Sequence, residues 1–283
     1  MRLDYHMHFE HGSYDFNWVE GFFDAAKKRG LDEIGISEHS HTFLEFEPLY
    51  YEDLILDDSF IGSFQQKWLK KNKFKYTIEQ YVNFVEALRA RGHVVKTGME
   101  VCNFQDQSKV KAILDQYPLD YVIGSVHFLR GWAYDSSEIK AEWERHDLHE
   151  IYEWYAEEAE KLCASGLYDV LGHPFNIRLF KYLPDFDVTP YLERVAKAMK
   201  KADVVVDVNT GTFYRYPIKE ISPYPDFMEI AADYHLPIIT TSDAHEPSDC
   251  GAYNAEAIAY VKKFGYTKTV RFDHRDREIV ELG

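Results

Sequence analysis

Membrane-length apolar runs, a disulfide framework and an excess of basic residues are all missing from this chain of 283 residues. No stretch approaches the roughly 20 apolar residues that a membrane-spanning helix needs. The opening MRLDYHMHFE has none of the apolar core of a signal peptide. The three cysteines, Cys102, Cys163 and Cys250, are odd in number and far apart, which suits a cytoplasmic, reducing setting. Lysine and arginine total 32 against 48 aspartates and glutamates, a formal net charge of -16. A binder of long nucleic acid needs a basic surface to displace counterions, so that class is excluded. A small anionic substrate is not excluded, because bound cations invert the local field of an acidic protein. The chain also lacks a Gly-x-Gly-x-x-Gly turn, internal repeats and low-complexity tracts.

What remains is a regular alternation of short β-rich runs and longer helical patterns. Strands are expected at Arg2–Met7, Glu33–Ser37, Val94–Val101, Tyr121–Val126, Tyr168–Leu171, Val204–Val208 and Pro237–Thr241, with a short final one at Thr267–Phe272. Between them, Trp18–Arg29, Ile78–Arg91, Ser108–Gln116, His146–Ser165, Pro190–Lys201, Phe227–Tyr234 and Ala255–Phe264 read as helices, several stopped by glycine. Strand–helix alternation of this kind favours a parallel α/β sheet. The missing dinucleotide-type turn favours a barrel over an open Rossmann sheet. A single domain of 283 residues fits a barrel. The main interruption, Thr42–Tyr76, reads as an insertion after the second strand, and loops at that barrel end commonly cover a site.

Histidine is abundant, 13 residues in all, and unevenly placed. His6 and His8, His39, Glu100, His127, His173, and the pair Asp243 and His245 each fall just past or within the end of an expected strand, and His11 follows closely on the first pair. In a parallel barrel every C-terminal strand end opens on one face, so groups remote in sequence converge there. Imidazole and carboxylate together suit zinc, manganese or iron. His6 and His8, two apart on a strand, point to one face, and Asp243 and His245 repeat the spacing. Glu100, as a carboxylate, is able to bridge two cations.

The ordered motifs DYHMH, ISEH, GMEV, IGSVH, LGHPFNIR, VDVNTG and TSDAH resemble the polymerase-and-histidinol-phosphatase (PHP) superfamily, and within it the histidinol phosphatases of histidine biosynthesis. The resemblance implies a distorted (β/α)7 barrel carrying three divalent metal ions. It implies that His6, His8, Glu100 and Asp243 hold the first, that Glu100, His127 and His173 hold the second, and that His11, His39 and His245 hold the third. One departure stands out: relatives have a longer spacer before the third histidine, whereas here only Phe9 and Glu10 precede His11.

The chemistry so implied is hydrolysis of a small phosphomonoester, histidinol phosphate above all, by a metal-bridging hydroxide. A PHP-type phosphoesterase acting on nucleotides is the alternative within the superfamily. A metal-dependent amide hydrolase would add a bridging lysine that these motifs lack. Asp243 or His245 is the expected proton donor to the leaving alkoxide. Arg178 and Arg215 are expected to fork onto phosphate oxygens. For the ammonium and imidazole of the substrate, the insertion offers Glu45, Glu47, Phe43 and Phe46.

Overall fold

The computed structural model of the chain describes residues 1–71 and 73–283. Seven parallel strands follow one another in chain order: β1 (Leu3–Asp4), β2 (Glu33–His39), β3 (Val95–Cys102), β4 (Tyr121–Ser125), β5 (Val170–Leu171), β6 (Val205–Asn209) and β7 (Ile238–Thr241). The seam between first and last is closed just beyond β1, where Met7 bridges Ala244 in parallel and the His8 N–H donates to the Ala244 carbonyl at 2.8 Å. The result is a nearly closed α/β barrel, the expected architecture.

Local chemistry accounts for the helices that separate the strands. Asp15 caps Phe16–Arg29 by accepting from the Trp18 N–H at 3.0 Å, and Gly30 ends that helix at a φ of 69°. Thr77 and Gln80 form a reciprocal capping box on Ile78–Ala90. Each helix lays an apolar stripe on the outer face of the sheet, as Tyr81, Val85 and Leu88 do.

A separate cluster fills the barrel itself: Tyr5, Tyr121, Ile123, Val170, Val205 and Ile239, with Val270 and Phe272 reaching in from below. The two tyrosines occupy space that the neighbouring strands leave open. A Cβ on Gly98 would stand 2.2 Å from the Tyr121 ring, and one on Gly35 would stand 2.4 Å from its hydroxyl. Tyr121 in turn donates to the Tyr5 carbonyl at 2.6 Å. The bottom is stoppered by the hairpin Lys268–Asp273/Asp276–Glu281, tied to the strand starts through Lys96–Asp273 (2.7 Å) and Arg271–Glu33 (2.8 Å). The expected final strand is therefore one arm of this plug.

Two departures from the expected elements matter. Regular pairing of β1 stops at Asp4 rather than running to Met7. The buried Asp4 carboxylate instead accepts from the Ser242 N–H (3.0 Å), the Ser242 hydroxyl (2.5 Å) and the Gly251 N–H (2.9 Å), and burial pushes its pKa up to about 6. The insertion holds two helices, Glu47–Asp53 and Phe60–Lys70, and its ends meet where Phe43 bridges Tyr76.

Replacing Gly98 with alanine forces a methyl into the Tyr121 ring, so it should destabilise the barrel by about 1–3 kcal/mol. A lower urea midpoint at unchanged slope is the expected reading, and an unshifted midpoint would show that the tyrosine can withdraw.

Candidate metal centre

Strand ends alone explain the crowding at the top of the barrel. Glu100 lies in β3, in register with His39 of β2, and its side chain is almost fully buried. Its Oε1 faces His6 Nε2 (3.3 Å), His127 Nε2 (3.4 Å) and His173 Nε2 (3.1 Å). Its Oε2 faces His39 Nε2 (3.2 Å) and His8 Nε2 (3.8 Å). One carboxylate thus addresses two different sets of imidazoles. Across the seam, Asp243 Oδ1 lies 3.3 Å from His8 Nε2 and 3.9 Å from His6 Nε2. The rings of His8 and His245 are 4.5 Å apart, centroid to centroid.

The fit to a metal rests on atoms that have nothing else to do. His6 Nε2 and both nitrogens of His8 are buried with no hydrogen-bond partner among the described residues. An unpaired buried polar atom is costly, so such nitrogens converging on carboxylates are donor sets awaiting a cation. Groups such as Glu100, His127 and His173, or His6, His8 and Glu100, place their ligand atoms within 4.8 Å of one another. The residues fit a centre for divalent metal.

Electrostatics agree with that use. Burial, helped by His39, drives the His8 imidazole down to about 3, so it is neutral and able to ligate. Burial likewise lowers His127, and burial with Arg215 beside it holds His245 well below its ordinary value. At His6 burial opposes charge, but Glu100, Asp243 and Asp207 outweigh it and raise the pKa well above the usual imidazole value. The Glu100 carboxyl goes the other way: despite burial, His6 and His127 keep it well below the carboxylate range.

The model of the PHP domain matches residues 4–211, which span six of these seven strands and all but the last two ligand candidates. The chain belongs to the PHP domain family. Among curated relatives, the probable histidinol-phosphatase of Deinococcus radiodurans is 34% identical over 182 residues, covering 64% of this chain and 68% of that protein. The probable histidinol-phosphatase of Clostridium acetobutylicum is 25% identical over 215 residues, covering 72% and 80%. Two solved structures share the PHP fold. The putative histidinol phosphatase of Listeria monocytogenes superposes with a TM-score of 0.70 at 20% identity, over 89% of this chain and 99% of that one. The histidinol phosphate phosphatase of Lactococcus lactis, crystallised with zinc, L-histidinol and phosphate, gives 0.68 at 19% identity, over 98% of both.

Within this PHP barrel the structure gathers His6, His8, His39, Glu100, His127, His173, Asp243 and His245 at one end. His11 stands at the lip instead. Its side chain is 50% exposed, its Nδ1 lies 3.1 Å from Glu246, and its ring is 5.7 Å from that of His245. Arg178 is not brought into the cleft at all. Its Nε donates to the Tyr152 hydroxyl and its Nη2 to Asp226, both at 2.7 Å, because the turn after β5 folds it back onto helix Leu148–Ser165. Arg215 does line the cleft, pairing with Asp243 and reaching His245 Nδ1 at 2.7 Å. Against burial, that guanidinium holds the Asp243 carboxyl well below its ordinary value, and it adds to the effect of burial in lowering His245.

Two residues, Asp207 and Glu10, were invisible to spacing alone, whereas Cys102 was marked by its place two beyond Glu100. Asp207, inside β6, accepts from His6 Nδ1 (2.9 Å), from the His173 N–H (3.0 Å) and from the Thr241 hydroxyl (2.5 Å). It thereby turns His6 Nε2 toward Glu100 and fixes the tautomer. The motif VDVNTG was the available signal. Glu10 sits with its Oε2 3.4 Å from His39 Nδ1 and 3.6 Å from His41 Nδ1. Cys102, buried and not reactive, lies with its Sγ 3.2 Å from His127 Nδ1. The insertion's Phe43 and Phe46 are fully buried, and Glu45 accepts from the Ile78 N–H at 3.0 Å, so none of these three faces the cleft.

Asp207→Asn should weaken metal binding by about 10- to 100-fold, since the ring it orients loses its partner. Chelator competition measures it, and unchanged affinity would remove the orienting role. Because the metal-free His6 is held protonated, a cation must displace that proton, and apparent affinity should fall as pH falls. Calorimetry in buffers of different ionisation enthalpy should register proton release on binding.

Proposed function

We propose that this chain is a metal-dependent phosphomonoesterase whose substrate is L-histidinol phosphate, released as histidinol and inorganic phosphate. The supporting observation is the shared Glu100 carboxylate with unpaired imidazole nitrogens on both sides, set at the end of a barrel whose relatives are named as histidinol phosphatases. The proposal assigns His6, His8, Glu100 and Asp243 to one cation and Glu100, His127 and His173 to a second. A third falls to His39 and His245, with His11, now paired with Glu246, as the remaining arm. Bound there, divalent zinc, manganese or iron supplies an acidified water and neutralises charge on the phosphoryl oxygens.

The protein's own part is placement. Glu100, with one oxygen toward each set of imidazoles, would hold both cations. Asp207 keeps His6 and the His173 backbone in place. Arg215, with a side chain 26% exposed at the edge of the cleft, offers its fork to the phosphate oxygens once cations engage Asp243 and His245. The cleft walls, which include Leu179, Thr212 and Tyr216, limit access of bulk water to the phosphoryl group.

Phosphate release from L-histidinol phosphate, measured against a panel of nucleotides and sugar phosphates, tests the reading. Turnover should be highest with histidinol phosphate, vanish after chelation and return with zinc or manganese. Faster hydrolysis of a nucleotide would transfer the activity to another phosphomonoester. Arg215→Lys, which loses the planar fork, should lower kcat/KM by about 10- to 100-fold while bound metal is retained.

A further inference from the structure

Neither Glu45, which accepts from the Ile78 N–H, nor Glu47 is among the residues that line the cleft. We infer that Asp135 is the ammonium anchor of this cleft, with Tyr216 as the flat wall for the substrate's ring. The inference rests on the proposed reading of the site as a histidinol-phosphate phosphatase, and it names the part of that site which selects the substrate.

Asp135 and Tyr216 both line the cleft that contains Glu100, His127, His173 and Asp243. The Asp135 carboxylate is 27% exposed and stands 3.9 Å from His127 Nε2, on the open side of the metal centre. Among the described residues no lysine or arginine nitrogen lies within 4 Å of it and no hydrogen-bond donor reaches it. The other cleft carboxylates are engaged: Glu100 is ringed by imidazoles, and Asp243 pairs with Arg215. An open acid at a lip so close to the cations is the complement of a cation carried by the substrate, a few bonds from its phosphate.

The backbone holds this acid firmly. The preceding residue, Tyr134, is fully buried, its hydroxyl sits between the Val126 carbonyl and the Asn176 side chain, and its carbonyl accepts from Trp143 Nε1 at 2.9 Å. The peptide that carries Asp135 is thereby fixed between β4, which ends in Ser125, and the turn at Asn176–Arg178. A pre-fixed carboxylate loses little freedom when the amine arrives. Tyr216, which also lines the cleft, follows directly on Arg215, so one short segment carries both the guanidinium fork and an aromatic ring.

The test uses metal-loaded enzyme and two alkyl phosphates, L-histidinol phosphate and the same molecule without its amine, 3-(imidazol-4-yl)propyl phosphate. The readout is the ratio of their kcat/KM values, with bound metal measured alongside. In the natural chain the ratio should favour the amine by about 10- to 100-fold, the worth of a charge-assisted hydrogen bond. In Asp135→Asn it should collapse toward unity through a raised KM, and Asp135→Glu should restore part of it. An unchanged ratio in Asp135→Asn overturns the anchor. Equal losses on both substrates overturn it too and make Asp135 a proton donor. Loss of bound metal would make it a ligand and also overturn the assignment. If the natural chain itself shows no preference for the amine, the substrate reading fails first, and that failure appears without any variant.

Discussion

Burying the Glu100 carboxylate among imidazoles is the constraint on which the rest of this molecule turns. A lone carboxylate at that depth would be expelled or protonated. It is kept ionised because His6, His127 and His173 gather at one of its oxygens. Those imidazoles come from strand ends β1, β4 and β5, so the charge survives only if the barrel is closed and in register. Closure in turn needs the inner tyrosines Tyr5 and Tyr121 to fit against Gly35 and Gly98. The lower half of the barrel is an apolar jigsaw, and its function is to keep the upper half, a polar and otherwise unstable arrangement, from relaxing.

Much of this was legible from residue order. A strand followed at once by histidine, repeated along the chain, placed His6, His8, His39, His127 and His173 on one barrel face before any coordinates. The period-two spacing of Asp243 and His245 did the same for the seam. What was not legible depended on three-dimensional choice among equals. Arg178 and Arg215 both follow strand ends, yet only a folded turn decides that one meets Tyr152 and Asp226 while the other meets Asp243. His11 illustrates the limit for loops: the shortened spacer leaves it half-exposed beside Glu246, a position that no periodicity predicts. Asp207 was hidden for the opposite reason. It sits inside a strand whose pattern reads as core, and its partner His6 is 201 residues away.

The insertion illustrates how composition misleads when a segment is both aromatic and acidic. Its aromatic residues were natural candidates for a substrate wall. The structure spends them on packing: Phe43 against Tyr81, Phe46 against Phe104, and Tyr50 against Phe104 and Phe128. Beside the strand-end ligands, the side chains that face the cleft come from the segments after β4, β5 and β6 instead. Of the residues in those segments, His127 and Arg215 carried a sequence signal, whereas Asp135 and Tyr216 carried none.

The seam between β1 and β7 also sets an order of events during synthesis. Ligand candidates His6 and His8 leave the ribosome early, whereas Asp243 and His245, and the Ala244 that bridges Met7, emerge more than two hundred residues later. Until then the early histidines lack Asp243 and the bridge that closes the wall beside them. The set made by His6, His8, Glu100 and Asp243 is therefore completed only once the last barrel strand has been synthesised, and a prematurely terminated product lacking that strand would leave the translation machinery with this set unfinished.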